Sequence, residues 1–194
     1  MKKGDETKKR ILDIGLEMAS RLGLECLSIG SLADATDMSK SGLFSHFKSK
    51  ENLQIAVMAH AGDVFMENVL MPALKKPAGS RRLRAMMDYW IDWTVELSGG
   101  CIFVASSAEY SDRPGRVRDY IREQQDMWID SLIRVAESAV TAGDLKPDAD
   151  CRLFAFEMYS LILGFYLYHN SIARKDALEL TQAAFDRLLI SYQP

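Results

Sequence analysis

The chain has 194 residues, 48% of them apolar and 26% charged, enough for one large domain or for a small domain joined to a larger one. A formal net charge of -3 excludes a surface coated uniformly for nucleic acid, but residues 1–50 carry nine Lys/Arg against seven Asp/Glu while residues 51–194 carry fifteen against twenty. Three scattered cysteines, Cys26, Cys101 and Cys151, have no metal-ligand spacing and exclude a disulfide framework, so a reducing, cytoplasmic location is expected.

The opening MKKGDETKKRIL has basic residues with no uninterrupted apolar run behind them, which is not the pattern of a signal peptide. The spacing of Ile11, Ile14, Gly15, Met18 and Leu22 then predicts a helix over 7–22, and Gly23 supplies the left-handed residue that ends it. Ser28 is placed to cap a second helix of about two turns through Leu32 and Ala33. After a break at Asp37 and Met38, Ser39 caps a third short helix, SKSGLFSHF, and Ser49 caps a long fourth one running toward Pro72.

The rest reads as helix throughout. Apolar residues at 83, 86, 87, 90, 91, 94 and 97 define one helix stopped by Gly99 and Gly100, and CIFVASSAEY a shorter one. Residues 116–142 form another, ending at Gly143, and two apolar segments complete the chain. The longest apolar run, 153–168, contains Glu157 and falls short of the roughly 20 residues that span a bilayer. It is read as a buried helix, with no membrane segment. No period-two alternation is sustained anywhere, so the fold class is all-α. The domain boundary is expected within the fourth helix, dividing the chain into 1–52 and 53–194.

Two short helices separated by a tight turn, preceded by a supporting helix, make a helix-turn-helix. Such a unit lays its second helix in the major groove, where small and polar side chains approach base edges and phosphates. Lys40, Ser41, Ser45, His46 and Lys48 supply donors, and Gly42 permits close backbone approach. Leu43 and Phe47, four apart, pack inward and leave Lys40, Ser41 and Phe44 facing out. Lys50 sits where a helix start favours phosphate. Composition alone also fits a solvated loop; the ordered succession of helix, glycine and capped short helices speaks for the motif.

The first 55 residues resemble the DNA-binding domain of TetR-family transcriptional regulators, on Leu27, Ser28, Leu32, Ala33, Ser39, Gly42, Leu43, His46, Phe47, Lys50, Glu51 and Leu53. The resemblance implies that Ser28 touches phosphate, that Lys40, Ser41 and Gly42 face the groove, and that His46 and Lys50 hold the backbone. Phe44 stands where the family usually has tyrosine, which removes a hydroxyl-to-phosphate hydrogen bond of about 1 kcal/mol.

A single helix-turn-helix reads few base pairs, so a homodimer on a palindrome is expected. The segment FAFEMYSLILGFYLY, apolar around much of its circumference, is either a dimer surface or a central core helix. In the resembling family the last two helices form the dimer interface. Trp90, Trp93, Phe103, Met127 and Trp128 are either core packing or the lining of a pocket for an apolar or aromatic effector. Cys101, read as opening a helix after two glycines, is either a buried small residue or a redox or electrophile sensor.

No catalytic constellation emerges. His46, His60 and His169 are far apart, and Glu109, Asp112 and Asp119 near one loop read as solvated carboxylates. No metal or cofactor is implied. The expected protein is a ligand-responsive, DNA-binding regulator, by family default a repressor; an all-helical enzyme is the alternative from another class.

Overall fold

The computed structural model describes residues 3–194. Helix α1 spans Lys3–Leu22 and ends where Gly23 takes a φ of 90°, its N–H donating to the Ala19 carbonyl. Helix α2, Ile29–Thr36, starts from a reciprocal capping box: Ser28 Oγ accepts from the Ser31 N–H and Ser31 Oγ accepts from the Ser28 N–H. Helix α3, Lys40–Phe47, is capped by Ser39, whose Oγ accepts from the Gly42 N–H at 3.1 Å. Ser49 does the same for α4, Lys50–Phe65, through the Asn52 N–H.

The fourth helix does not continue unchanged to Pro72. It passes at Phe65 into a π-helical turn, Met66–Leu70, and then into a four-residue helix α5, Met71–Leu74. Pro72 has no N–H to return to Asn68 and its ring crowds that carbonyl, so a widened turn ahead of it is the accommodation expected of a helix interrupted by proline. Four helices follow: α6 (Ser80–Glu96), α7 (Ile102–Glu109), α8 (Arg116–Thr141) and α9 (Cys151–Tyr166), the last started by Asp150. A second π turn, Leu167–Ser171, leads to α10 (Ala177–Tyr192). There is no strand among the described residues, and the fold is all-α.

The packing falls into two units. The first comprises the chain up to Val64 together with Leu97–Gln124; the second is Phe65–Glu96 with Gln125–Pro194. By packing, most of α4, all of α7 and the start of α8 belong with α1 to α3. The reason is core supply. Helices α1 to α3 bury Ile11, Leu16, Leu32, Leu43 and Phe47, and the same unit adds Leu53, Val57, Ile102 and Ile121. At Gly15 a Cβ would meet Val57 Cγ2 at 2.8 Å, so glycine lets α1 and α4 approach closely. In the second unit α9 packs on α6 and α10 around Trp90, Phe154, Met158, Phe165 and Phe185, all at most 2% exposed. No helix of the described residues is long and apolar enough to cross a membrane.

Candidate nucleic-acid interface

Helix α3 has the inward and outward faces that its sequence implies. Leu43 is 0% and Phe47 4% exposed, whereas Phe44 is 54% exposed with Lys40, Ser41, Ser45 and His46 also turned to solvent. The anchoring pair fixes the helix by burial, and the opposite surface is left to small, polar and cationic groups. Gly42 has a structural reason of its own, because a Cβ there would come within 3.1 Å of the capping Ser39 Oγ.

Ser28 is half-buried and already occupied as a cap, with its Oγ 3.0 Å from Ser31 Oγ. When Ser31 donates in that pair, the Ser28 hydroxyl hydrogen is left to point outward. Lys50 is also engaged: its Nζ lies 2.5 Å from Glu25 Oε1. Glu25 in turn accepts from the Tyr110 hydroxyl at 2.8 Å and pairs with Arg113 at 3.3 Å. The lysine hydrogen bond, then the tyrosine one, hold the Glu25 carboxyl below its ordinary value, while burial and the same carboxylate push the Tyr110 phenol up. These side chains line a cleft of about 280 Å³ that Gln54, Gly115 and Arg118 complete.

This network was not visible in the sequence, and it corrects one expectation. Glu109 is not a solvated carboxylate: its two oxygens accept the Leu24 and Glu25 N–H groups at 2.8 and 3.0 Å, clamping the turn between α1 and α2. Gln54 Nε2 donates to the Leu24 carbonyl at 2.8 Å from the other side. Nearby, Ser20 Oγ accepts from the Gly99 N–H and donates to the Gly100 carbonyl. Only the fold brings partners about 80 positions apart into contact, and no local pattern announces them.

Among the candidate pocket residues the tryptophans gather in the second unit. Trp90 and Trp128 meet edge to face at 4.9 Å, and Phe65 stands 5.5 Å from Trp93 and 4.7 Å from Trp128. Phe65 and Tyr159, the latter stacked on Trp90 at 5.4 Å, are members that sequence reasoning missed. Met127 is 48% exposed. Cys101, 0% exposed, and Phe103 belong to the first packing unit, not to the one holding the tryptophans. Burial of Cys101 withholds its thiol from reagents in solution, in keeping with a packing role. Of the histidines, His60 is buried and its Nε2 lies 2.6 Å from Asp13 Oδ1. Among the described residues no group of three His, Cys, Asp or Glu side chains is arranged to hold a metal.

Known proteins share this arrangement. Residues 11–57 match the family model described as bacterial regulatory proteins, tetR family, and residues 79–185 match the tetracyclin repressor-like C-terminal domain. The chain is 33% identical over 189 residues to the HTH-type transcriptional regulator AcrR of Shigella flexneri, covering 95% of this chain and 87% of that protein. A TetR transcriptional regulator from Chloroflexus aurantiacus superposes with a TM-score of 0.85 at 21% identity, over 100% of this chain and 98% of that one. AibR, solved with isovaleryl coenzyme A and operator DNA, gives a TM-score of 0.72 at 26% identity, over 91% of this chain and 95% of that one. With the helix-turn-helix geometry and both family models agreeing along the chain, the protein belongs to the TetR family of transcriptional regulators.

Proposed function

We propose that this regulator is a repressor that binds a palindromic operator as a homodimer and is released by a small apolar or aromatic effector. The observation that carries the reading is α3, an eight-residue capped helix anchored by Leu43 and Phe47 with Lys40, Ser41, Phe44 and His46 exposed on its other side. A helix of this size and polarity fits the major groove. Lys40 and Ser41 in its first turn are the candidates for base edges, with Gly42 allowing close approach. Ser28, His46 and Lys50 are the candidates for phosphate. For Lys50 that contact is an exchange, in which a phosphate oxygen replaces Glu25 as its partner.

Self-association is supported by α9 and α10, which expose Leu153, Phe156, Leu163, Leu178 and Ile190, Phe156 and Ile190 at 68% and 65%. A patch of this kind on a helical pair is unusual for a monomer. That a protein of this kind takes a small molecule as well as DNA is supported by AibR, a relative solved with isovaleryl coenzyme A and operator DNA. An effector acts this way only if it binds the DNA-incompetent state more tightly.

Selection of bound duplexes from a random library tests the reading. The expected product is a palindrome with half-sites about one helical turn, roughly 34 to 36 Å, apart. Lys40→Ala should change the selected sequence, whereas Lys50→Ala should weaken all sequences and reduce the salt slope by about 1. Failure to enrich any sequence would sink the proposal.

A further inference from the structure

The chain contains three tryptophans, and all three belong to one cluster. Phe65 sits among them, meeting Trp90, Trp93 and Trp128 edge-on at 6.1, 5.5 and 4.7 Å, and Tyr159 closes the group against Trp90. Each indole has a single donor, Nε1–H, and no acceptor. All three Nε1 atoms are buried and none has a hydrogen-bond partner. Leaving a buried donor unmade costs free energy, and phenylalanine would fill similar space without that cost. Three orphaned donors in one ring cluster mark a place where acceptors are missing.

The side chain at the centre is tied to a yielding stretch of backbone. Phe65 is the last residue of α4, and the π-helical turn Met66–Leu70 begins immediately after it. A turn already widened ahead of Pro72 can alter its hydrogen bonding at lower cost than a regular helix.

Resting on the reading that this regulator takes an effector, we propose that the cluster is a ligand cage plugged by Phe65, and that its ligand is a flat, uncharged aryl ketone or quinone. The ligand ring takes the place of the Phe65 ring against the indoles, and its carbonyl oxygen accepts from indole N–H. The lining rings of Phe, Trp and Tyr carry no charge, so a carboxylate or ammonium buried among them would go unpaired. A carbonyl supplies lone pairs without a charge to desolvate.

The test follows the three indole N–H resonances of the full-length protein by proton–nitrogen correlation NMR, each assignable by single substitution. The probes are 2-acetylnaphthalene and 2-ethylnaphthalene, alike in outline, only the first having an acceptor. The ketone should move at least one indole N–H downfield and bind about tenfold tighter than the ethyl compound, the worth of one such hydrogen bond. Phe65→Ala, which removes the plug, should bind the ketone more tightly than the wild type. Phe65→Leu serves if the alanine variant does not give a native spectrum. Trp93→Phe, which keeps an aromatic ring but deletes the donor, should lose part of the preference for the ketone.

Equal affinity for the two probes overturns the acceptor assignment. No indole shift with either probe, in the wild type and in the unplugged variant, overturns the cage. Operator selection is read separately: an intact palindrome with no ketone binding leaves the operator reading standing and removes the cage, and the reverse pair of results leaves the cage and removes the operator reading.

Discussion

Glu25 accepts from Lys50, Tyr110 and Arg113 together, so its charge is linked to the geometry of the turn between α1 and α2. Its folded-state pKa lies below the ordinary 4.5, which means the ionised form contributes stability above that value. The contribution is lost as pH falls through the lowered folded value. Glu25→Gln should therefore flatten the acid limb of stability, read as urea midpoints between about pH 7 and pH 3, with the wild-type advantage fullest near pH 7 and disappearing below about pH 5. An unchanged acid limb would mean that the ion pairs are screened and contribute nothing. Gly99 poses a steric question: a Cβ there would overlap the Ser20 carbonyl, against rigid backbone. Gly99→Ala should cost about 2 kcal/mol in chemical denaturation, since the Ser20 to Gly99 and Gly100 hydrogen bonds must part to admit the methyl group. Leu43 and Phe47 could be assigned inward from their spacing alone, but the partner of Lys50 lies 25 positions upstream and follows no periodicity.

The helix ends were the most legible elements. Ser28, Ser39 and Ser49 all cap helices, and Gly23 and Gly143 have positive φ just beyond helix ends. Capping is local chemistry that needs no tertiary information. Ser28→Ala should remove one half of the α2 capping box and cost about 1 kcal/mol by urea or guanidinium unfolding. A loss well below that would indicate that solvent satisfies the freed Ser31 N–H. The π turns were not legible, because apolar residues at 65, 69, 70 and 73 keep an ordinary helical pattern up to and past Pro72. Proline was read as the end of the fourth helix; its consequence instead falls upstream, in Met66–Leu70.

On the scale of the whole molecule, the family and the all-α class were readable from one segment of about 30 residues and the absence of alternation. The packing division was not. Residues 97–124 join α1 to α3 through long-range contacts, such as those of Glu109, that a boundary drawn from local polarity does not register. The apolar run in α9 left two readings, and the exposure of Phe156 beside the burial of Phe154 and Met158 shows one helix with both kinds of face. Phe156→Arg should leave helical circular dichroism unchanged, since the side chain makes no core, and shift sedimentation from dimer toward monomer. Wild-type protein sedimenting as a monomer at micromolar concentrations would remove the interface assignment.

The placement of all three tryptophans in the second unit has a practical result for anyone who melts this protein. Intrinsic tryptophan emission reports on Phe65–Glu96 and Gln125–Pro194 alone, while far-ultraviolet ellipticity reports on every helix. Superimposable thermal curves from the two probes would establish a single cooperative transition. Ellipticity lost before the emission changes would reveal the helix-turn-helix unit unfolding first, with no label or engineered reporter needed.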